Sequence, residues 1–158
     1  MPNDTEQEHA CRNPKTAYEY ARYTAKKPHN DTRTAACRNP KYAYYYAYHI
    51  DRHPSNETRI AACCMPTYAW LYALNVDKQA RDDTRLAVCS NAYYAYSYAY
   101  AIDASPRDDT RAACCSIPEN AHEYAEHIDK QARYDTRAAA YGRESCGIRY
   151  DDTVAFKP

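Results

Sequence analysis

The chain has 158 residues, with 21 Lys plus Arg against 21 Asp plus Glu, so its formal net charge is zero. That balance removes the cationic footprint of a general nucleic-acid binder, and no stretch approaches the ~20 apolar residues that a membrane-spanning helix needs. With 19 tyrosines, eight cysteines, one phenylalanine and one tryptophan, a core must be built from alanine, tyrosine, cysteine and a few isoleucines and valines.

The chain is periodic. Asp31-Thr32-Arg33 returns as Glu57-Thr58-Arg59, Asp83-Thr84-Arg85, Asp109-Thr110-Arg111 and Asp135-Thr136-Arg137, every step 26 residues long with no insertion. A cysteine keeps the same step at Cys11, Cys37, Cys63, Cys89 and Cys115, and a tyrosine keeps it at Tyr20, Tyr46, Tyr72, Tyr98 and Tyr124. A fixed period in this range is the signature of stacked repeats. Many alanines and only two glycines, Gly142 and Gly147, favour helix. The fold class expected is all-α: a right-handed α-solenoid of 26-residue two-helix repeats, in a single repeat domain over 1–158.

In chain order, the polar N-terminus MPNDTEQEHA carries no secretory signature, which points to a cytoplasmic protein, with a virus particle as the alternative setting. A degenerate first repeat spans 5–30, with Gln7 where later repeats have arginine. Full repeats follow at 31–56, 57–82, 83–108 and 109–134. The pattern fades after Ala140, so 135–158 is expected to be a C-terminal capping segment, as terminal repeats must meet water. Within a repeat, a short first helix is expected to start on an N-cap at Asn30, Asn56, Asp82 or Asp108, whose side chains can accept from free backbone N–H groups. Proline at Pro14, Pro40, Pro66 and Pro118 suits the first turn of a second helix. That helix is expected to end near Asp51, Asp77, Asp103 and Asp129. Ala43, Ala47 and Ile50 recur as Ala69/Ala73/Val76, Ala95/Ala99/Ile102 and Ala121/Ala125/Ile128. Their i, i+4, i+7 spacing marks one buried helix face.

The segments DTRTAACRNP, ETRIAACCMP and DTRAACCSIP, each followed by a second helix and a terminal aspartate, resemble the leucine-rich variant repeat and, more loosely, HEAT-type α-solenoid repeats. The resemblance covers residues 5–140. The chain departs from the leucine-rich variant in carrying tyrosine and alanine in place of leucines, and in its longer period. No cysteine group matches the iron–sulfur site of some members, so no cluster is carried over. The resemblance implies a binding scaffold.

The arginines Arg33, Arg59, Arg85, Arg111 and Arg137 are read as a structural ladder, each paired with an acid such as the one ending the second helix, since arginine can grip a carboxylate with two hydrogen bonds. An anion track is the alternative. The cysteines are read as reduced, buried packing residues, because helices roughly 8–10 Å apart hold Cα atoms beyond the ~7 Å reach of a disulfide. His49 and His53 are four apart, but the convergent ligands of a structural zinc site cannot be assembled, and no metal or other cofactor is expected. No glycine-rich phosphate loop occurs, and no irregular mid-chain cluster suggests catalysis, so the protein is read as not an enzyme. The sequons at Asn3, Asn30 and Asn56 are explained at the latter two by helix starts.

The sharpest candidate is aromatic. Outside the alanine stripe, the second helices carry Tyr42, Tyr44, Tyr45, Tyr48, Tyr68, Trp70, Leu71, Tyr94, Tyr96 and Tyr100, with Leu74 and Tyr93 beside them. The equivalent positions at the chain ends are polar. Tyrosine and tryptophan suit surfaces with an apolar body and a wet edge and dominate binding hot spots. These residues are read as a partner-binding surface, with inter-repeat packing as the competing use. The expected function is a non-enzymatic scaffold for a protein partner, the alternative being a self-assembling structural subunit. Neither nucleic acid nor membrane is expected as a partner.

Overall fold

The structure, a computed structural model, describes residues 4–155 and is all-helical over them, with no strand among the described residues. Helices recur with the 26-residue period of the sequence. Asn3, which carries the first sequon, lies outside the described residues. The chain divides into two compact units, Met1–Lys78 and Gln79–Pro158, each of three two-helix repeats stacked in solenoid fashion.

Unit 1 contains α1 (Asp4–Ala10), α2 (Pro14–Glu19), α3 (Asn30–Ala36), α4 (Pro40–Tyr46), α5 (Asn56–Ala62) and α6 (Pro66–Tyr72). Unit 2 contains α7 (Asp82–Val88), α8 (Ala92–Tyr98), α9 (Asp108–Cys114), α10 (Pro118–Tyr124), α11 (Tyr134–Ala140) and α12 (Glu144–Tyr150). Every even-numbered helix runs on into a π-helical end, as at Ala47–Asp51 after α4 and Ala125–Asp129 after α10. The following residue then adopts a left-handed conformation: Lys26, Arg52, Lys78, Ala104 and Lys130 have φ between 50° and 58°. None is glycine, although a left-handed helix terminus usually selects one. This turn reverses the chain within a few residues and delivers it to the next repeat.

Prolines 14, 40, 66 and 118 occupy the first turn of the second helices as expected. Asn13, Asn39 and Asn91 cap three of these helices, accepting from the backbone N–H of Lys15, Lys41 and Tyr93. The first helices begin differently from the expectation. Asn30, Asn56, Asp82 and Asp108 lie inside the helix, and the N-cap is the preceding residue: His29, Ser55, Arg81 and Arg107. The displaced Asn and Asp side chains instead hold the ladder arginines, as in Arg33 Nη1 to Asn30 Oδ1 at 2.9 Å and Arg111 Nη1 to Asp108 Oδ1 at 2.6 Å.

Each stacking layer is built from two small residues and a tyrosine. Ala21, Ala36 and Tyr46 form one; Ala47, Ala62 and Tyr72 with Tyr44 form the next. In unit 2 the counterparts are Ala99, Cys114 and Tyr124, then Ala125, Ala140 and Tyr150. Alanines on facing helices open a slot that one aromatic ring fills. Burying a ring of 150–250 Å² contributes about 4–6 kcal/mol as an upper bound. Tyr46, Tyr72, Tyr98, Tyr124 and Tyr150 are all fully buried.

The C-terminal segment is more than a cap. Residues 135–155 complete a sixth repeat, in which Tyr150 occupies the slot position and Thr136 sits beneath it at 2.9 Å. The repeat is edited for its end position. Gly147 replaces the stripe alanine because the ring of Tyr141 lies against it, where a Cβ would collide.

Candidate binding surface and grooves

The tyrosines fall into three groups. The slot tyrosines are structural. The Tyr46 hydroxyl meets Thr32 Oγ1 at 2.8 Å, accepts from the His29 backbone N–H at 2.9 Å and donates to the His29 carbonyl at 3.1 Å. The set repeats at Tyr72 with Thr58 and Ser55, Tyr98 with Thr84 and Arg81, Tyr124 with Thr110 and Arg107, and Tyr150 with Thr136 and Arg133. Burial raises the phenol pKa at Tyr46, Tyr72, Tyr98 and Tyr124. The threonines, fully buried in all five repeats, were assigned no role by sequence reasoning. Their constant 14-residue distance from the tyrosine was the available signal.

A second group packs between repeats. Tyr44 is 6% exposed and lies among Ala47, Ala62 and Tyr72, so it belongs to the core rather than to the surface expected of it. The equivalent Tyr18 and His122 are also buried, and Trp70 and Tyr96 are half-buried. At Tyr18, Tyr44, Tyr96 and His122 this helix face turns toward the following repeat of the same unit, which explains why it is large and mostly aromatic.

The third group is the outer ridge. In unit 1, Tyr42, Tyr45, Tyr68 and Leu71 are half-buried and Tyr48 is 47% exposed. Their rings are continuous: Tyr18 to Tyr45 at 5.8 Å between centroids, Tyr45 to Tyr44 at 5.6 Å, Tyr44 stacked on Tyr48 at 5.8 Å, and Tyr48 edge-on to His49 at 4.9 Å. Lys41 lies 5.7 Å from the ring centroids of both Tyr42 and Tyr45. In unit 2, Tyr100 is 61% exposed and stacks on Tyr96 at 5.9 Å, while Tyr94 is half-buried and meets the exposed Tyr93 edge-on at 5.2 Å.

The arginine ladder is engaged internally. Arg33 grips Asp51 through two hydrogen bonds of 2.7 and 2.9 Å, and Arg111 grips Asp129 through two of 2.8 and 2.9 Å. Arg59 reaches Asp77 at 3.4 Å, while Arg85 reaches Asp103 at 3.5 Å and Asp109 at 2.9 Å. In the sixth repeat the helix-ending aspartate is absent, and Arg137 turns to Asp151 at 2.8 Å, holding that carboxyl down at about 2. The Asp51, Asp77, Asp103 and Asp129 side chains are wholly shielded from solvent.

All eight cysteines are free. The repeat-position cysteines are half-buried rather than buried, and the fully buried one is Cys114, in a slot that other repeats fill with alanine or valine. Among the described residues no group of three or more His, Cys, Asp or Glu side chains is placed to hold a metal ion, and no helix is long and apolar enough to cross a membrane.

Grooves open where successive π-helical ends meet, a feature that only the folded arrangement reveals. One, about 600 Å³, lies between the ends of α2 and α4 and is lined by Arg22, Tyr23, Lys26, Lys27, His49 and Arg52, with Ala21 and Ile50 at its base. Its counterpart between α4 and α6, about 270 Å³, has Tyr48, Arg52, Asn75 and Lys78. In unit 2 the equivalents are about 400 and 430 Å³ and share Tyr100, His127 and Lys130, the second adding Glu126. Burial, and then the charge of Arg22, lowers the His49 pKa below the ordinary histidine value.

Comparison of the chain with protein-family models, curated proteins and solved structures gives no match.

Proposed function

We propose that this protein is a non-enzymatic repeat scaffold that binds a protein partner through the outer tyrosine ridge of unit 1. The HEAT-type and leucine-rich variant repeats that its DTRTAACRNP, ETRIAACCMP and DTRAACCSIP segments resemble mostly act as binding scaffolds. One observation carries the reading: the ring chain from Tyr18 through Tyr45 and Tyr44 to Tyr48 is pinned by core packing at Tyr44 yet reaches solvent at Tyr48. Rings held in place by a rigid helix lose little side-chain entropy on binding and present an apolar face with a polar tip. Tyr42, Tyr45, Tyr48 and Tyr68 are the binding residues in this proposal. Tyr44 supports them from below. Tyr94, Tyr96 and Tyr100 form a separate patch on unit 2.

The alternative of a self-assembling subunit would set the basic Lys15, Arg22, Lys26 and Lys27 near one chain end against Glu119, Glu123, Glu126 and Asp129 near the other, and most of the acidic side is occupied internally. Glu119 pairs with Arg143, and Glu123 with Arg149 and His127. Asp129 is held by Arg111.

Selection of binders from a displayed random-peptide library tests the proposal. Peptides recovered on the wild-type protein should lose about thirtyfold in affinity for a Tyr45→Ala/Tyr48→Ala variant, the effect of removing a hot spot worth about 2 kcal/mol, with the helical circular dichroism unchanged. Failure to recover any binder, or equal binding by the double variant, overturns it.

A further inference from the structure

We propose that the groove between the π-helical ends of α2 and α4 docks a short acidic peptide segment of the protein partner, its carboxylates held by Arg22, Lys26, Lys27 and Arg52. This deepens the scaffold reading and rests on it.

The groove is a concentration of positive charge that the chain leaves unneutralised. Four cations line it and no acidic residue does. The carboxylates on the adjoining helices are committed elsewhere: Glu19 to Lys15, and Asp51 to Arg33, with its side chain fully buried. Among the described residues no carboxylate pairs with Lys26, Lys27 or Arg52, in a fold where the ladder arginines Arg33, Arg85, Arg111 and Arg137 are each matched to an acid. Part of this charge faces the negative ends of the helix dipoles. That effect accounts for one cation per helix end, which is what the repeat supplies at Lys26, Arg52, Lys78 and Lys130. It does not account for Arg22 and Lys27 converging on the same groove. The walls are also shaped for more than a solvated ion. Tyr23 and Arg22 stack at 5.3 Å, and the half-buried Ile50 leaves an apolar spot on which the methylenes of an extended glutamate or aspartate side chain can lie.

The charge distribution selects the class of anion. A nucleic-acid strand needs a cationic track over many phosphates. Here the charge is confined to one groove. The next groove of unit 1 keeps only Arg52 and Lys78, and the two grooves of unit 2 keep only Lys130, with Ala104 and Glu126 at other equivalent positions. A segment of a few carboxylates fits such a patch and a long polyanion does not. The groove adjoins the tyrosine ridge directly, because His49 lines it while packing edge-on against Tyr48. One partner can therefore place an acidic stretch in the groove and apolar side chains on the ridge.

Fluorescence anisotropy with a fluorescein-labelled hexaglutamate peptide tests this on the full chain. The peptide should bind at low salt and weaken as salt rises, since exposed charges are screened. A Lys27→Glu/Arg52→Glu variant should weaken it about tenfold or more. An Arg12→Glu/Arg38→Glu variant makes the same change in net charge away from the groove and should leave binding within about twofold. Circular dichroism confirms that each variant is folded. Absence of hexaglutamate binding, equal weakening by the two variants, or tighter binding of a labelled twelve-residue uridine oligonucleotide overturns the proposal. If hexaglutamate fails while library peptides still bind in a Tyr45- and Tyr48-dependent way, the acidic segment is wrong and the tyrosine ridge stands. If both fail, the scaffold reading falls with it.

Discussion

The hydroxyl of Tyr98 lies 2.9 Å from that of Thr84, fourteen residues earlier, and the same pair recurs with the same partners in five repeats. The bond ties the middle of a second helix to the start of the first helix of its own repeat, since the Tyr98 hydroxyl also bonds both backbone groups of Arg81. The buried Tyr98 side chain thus closes the N-terminus of a seven-residue helix, one too short to be stable by itself.

Removing that hydroxyl should cost more than removing its threonine partner. Tyr98→Phe keeps the ring but takes the phenol acceptor from the Arg81 N–H and one partner each from the Arg81 carbonyl and the Thr84 hydroxyl, which still bond each other, and should destabilise the protein by about 1–3 kcal/mol. Thr84→Val leaves the phenol bonded to the Arg81 backbone and should cost about 1 kcal/mol. Urea unfolding of both variants checks the order; a larger loss for Thr84→Val contradicts it.

The Arg33–Asp51 pair should show the asymmetry of a buried charge. Arg33→Met strands the Asp51 carboxylate, whose side chain has no solvent exposure, and should cost about 3–5 kcal/mol. The double variant Arg33→Met/Asp51→Leu removes both charges and should recover most of that loss. A double variant no more stable than the single one would show that the pair's geometry, rather than charge desolvation, holds the repeat together.

Thiol reactivity should divide the cysteines by position. Burial pushes Cys37 and Cys114 up to about 12 and Cys89 and Cys115 up to about 11, so little thiolate exists in the native state at pH 8. The exposed Cys64 should react with a maleimide roughly a hundredfold faster than these four. Mass spectrometry of a labelling time course distinguishes them, and uniform labelling rates contradict the burial.

Acid should weaken unit 2 through His122. This ring is 2% exposed, and burial, then the charge of Arg149, lowers its pKa below the ordinary histidine value of 6.5. Glu123, Glu126 and His127 face it from α10 and its π-helical end, and Thr153 and Tyr150 from the sixth repeat. The unfolded state therefore takes up the proton first. The contribution of His122 is complete above about pH 6.5 and is lost as pH falls toward the folded-state pKa. Replacing His122 with Gln, which cannot charge, should flatten the stability profile between about pH 5 and 6.5. An unchanged slope there places the acid sensitivity elsewhere.

The 26-residue period by itself determined the all-helical repeat fold, the alanine stripe on Ala43 and Ala47, the proline starts and the pairing of Arg33 with the helix-ending Asp51. These follow from helical spacing and from the co-occurrence of one arginine and one acid per repeat. Only the tertiary structure decided which tyrosines are core. Tyr44 and Tyr48 are one helical turn apart on α4 and its π-helical end, and helical periodicity places both off the alanine stripe. Tyr44 is covered by the next repeat while Tyr48 is not, a difference set by where the neighbouring helix lies. The same holds for the helix starts, displaced by one residue with Asn30 bonded to Arg33 instead, and for the sixth repeat, whose Thr136–Tyr150 spacing survives although the second-helix proline and the helix-ending aspartate are lost. The cationic groove is the furthest from the sequence. Arg22, Lys27 and Arg52 are dispersed along the chain and converge only when one π-helical end is laid beside the next.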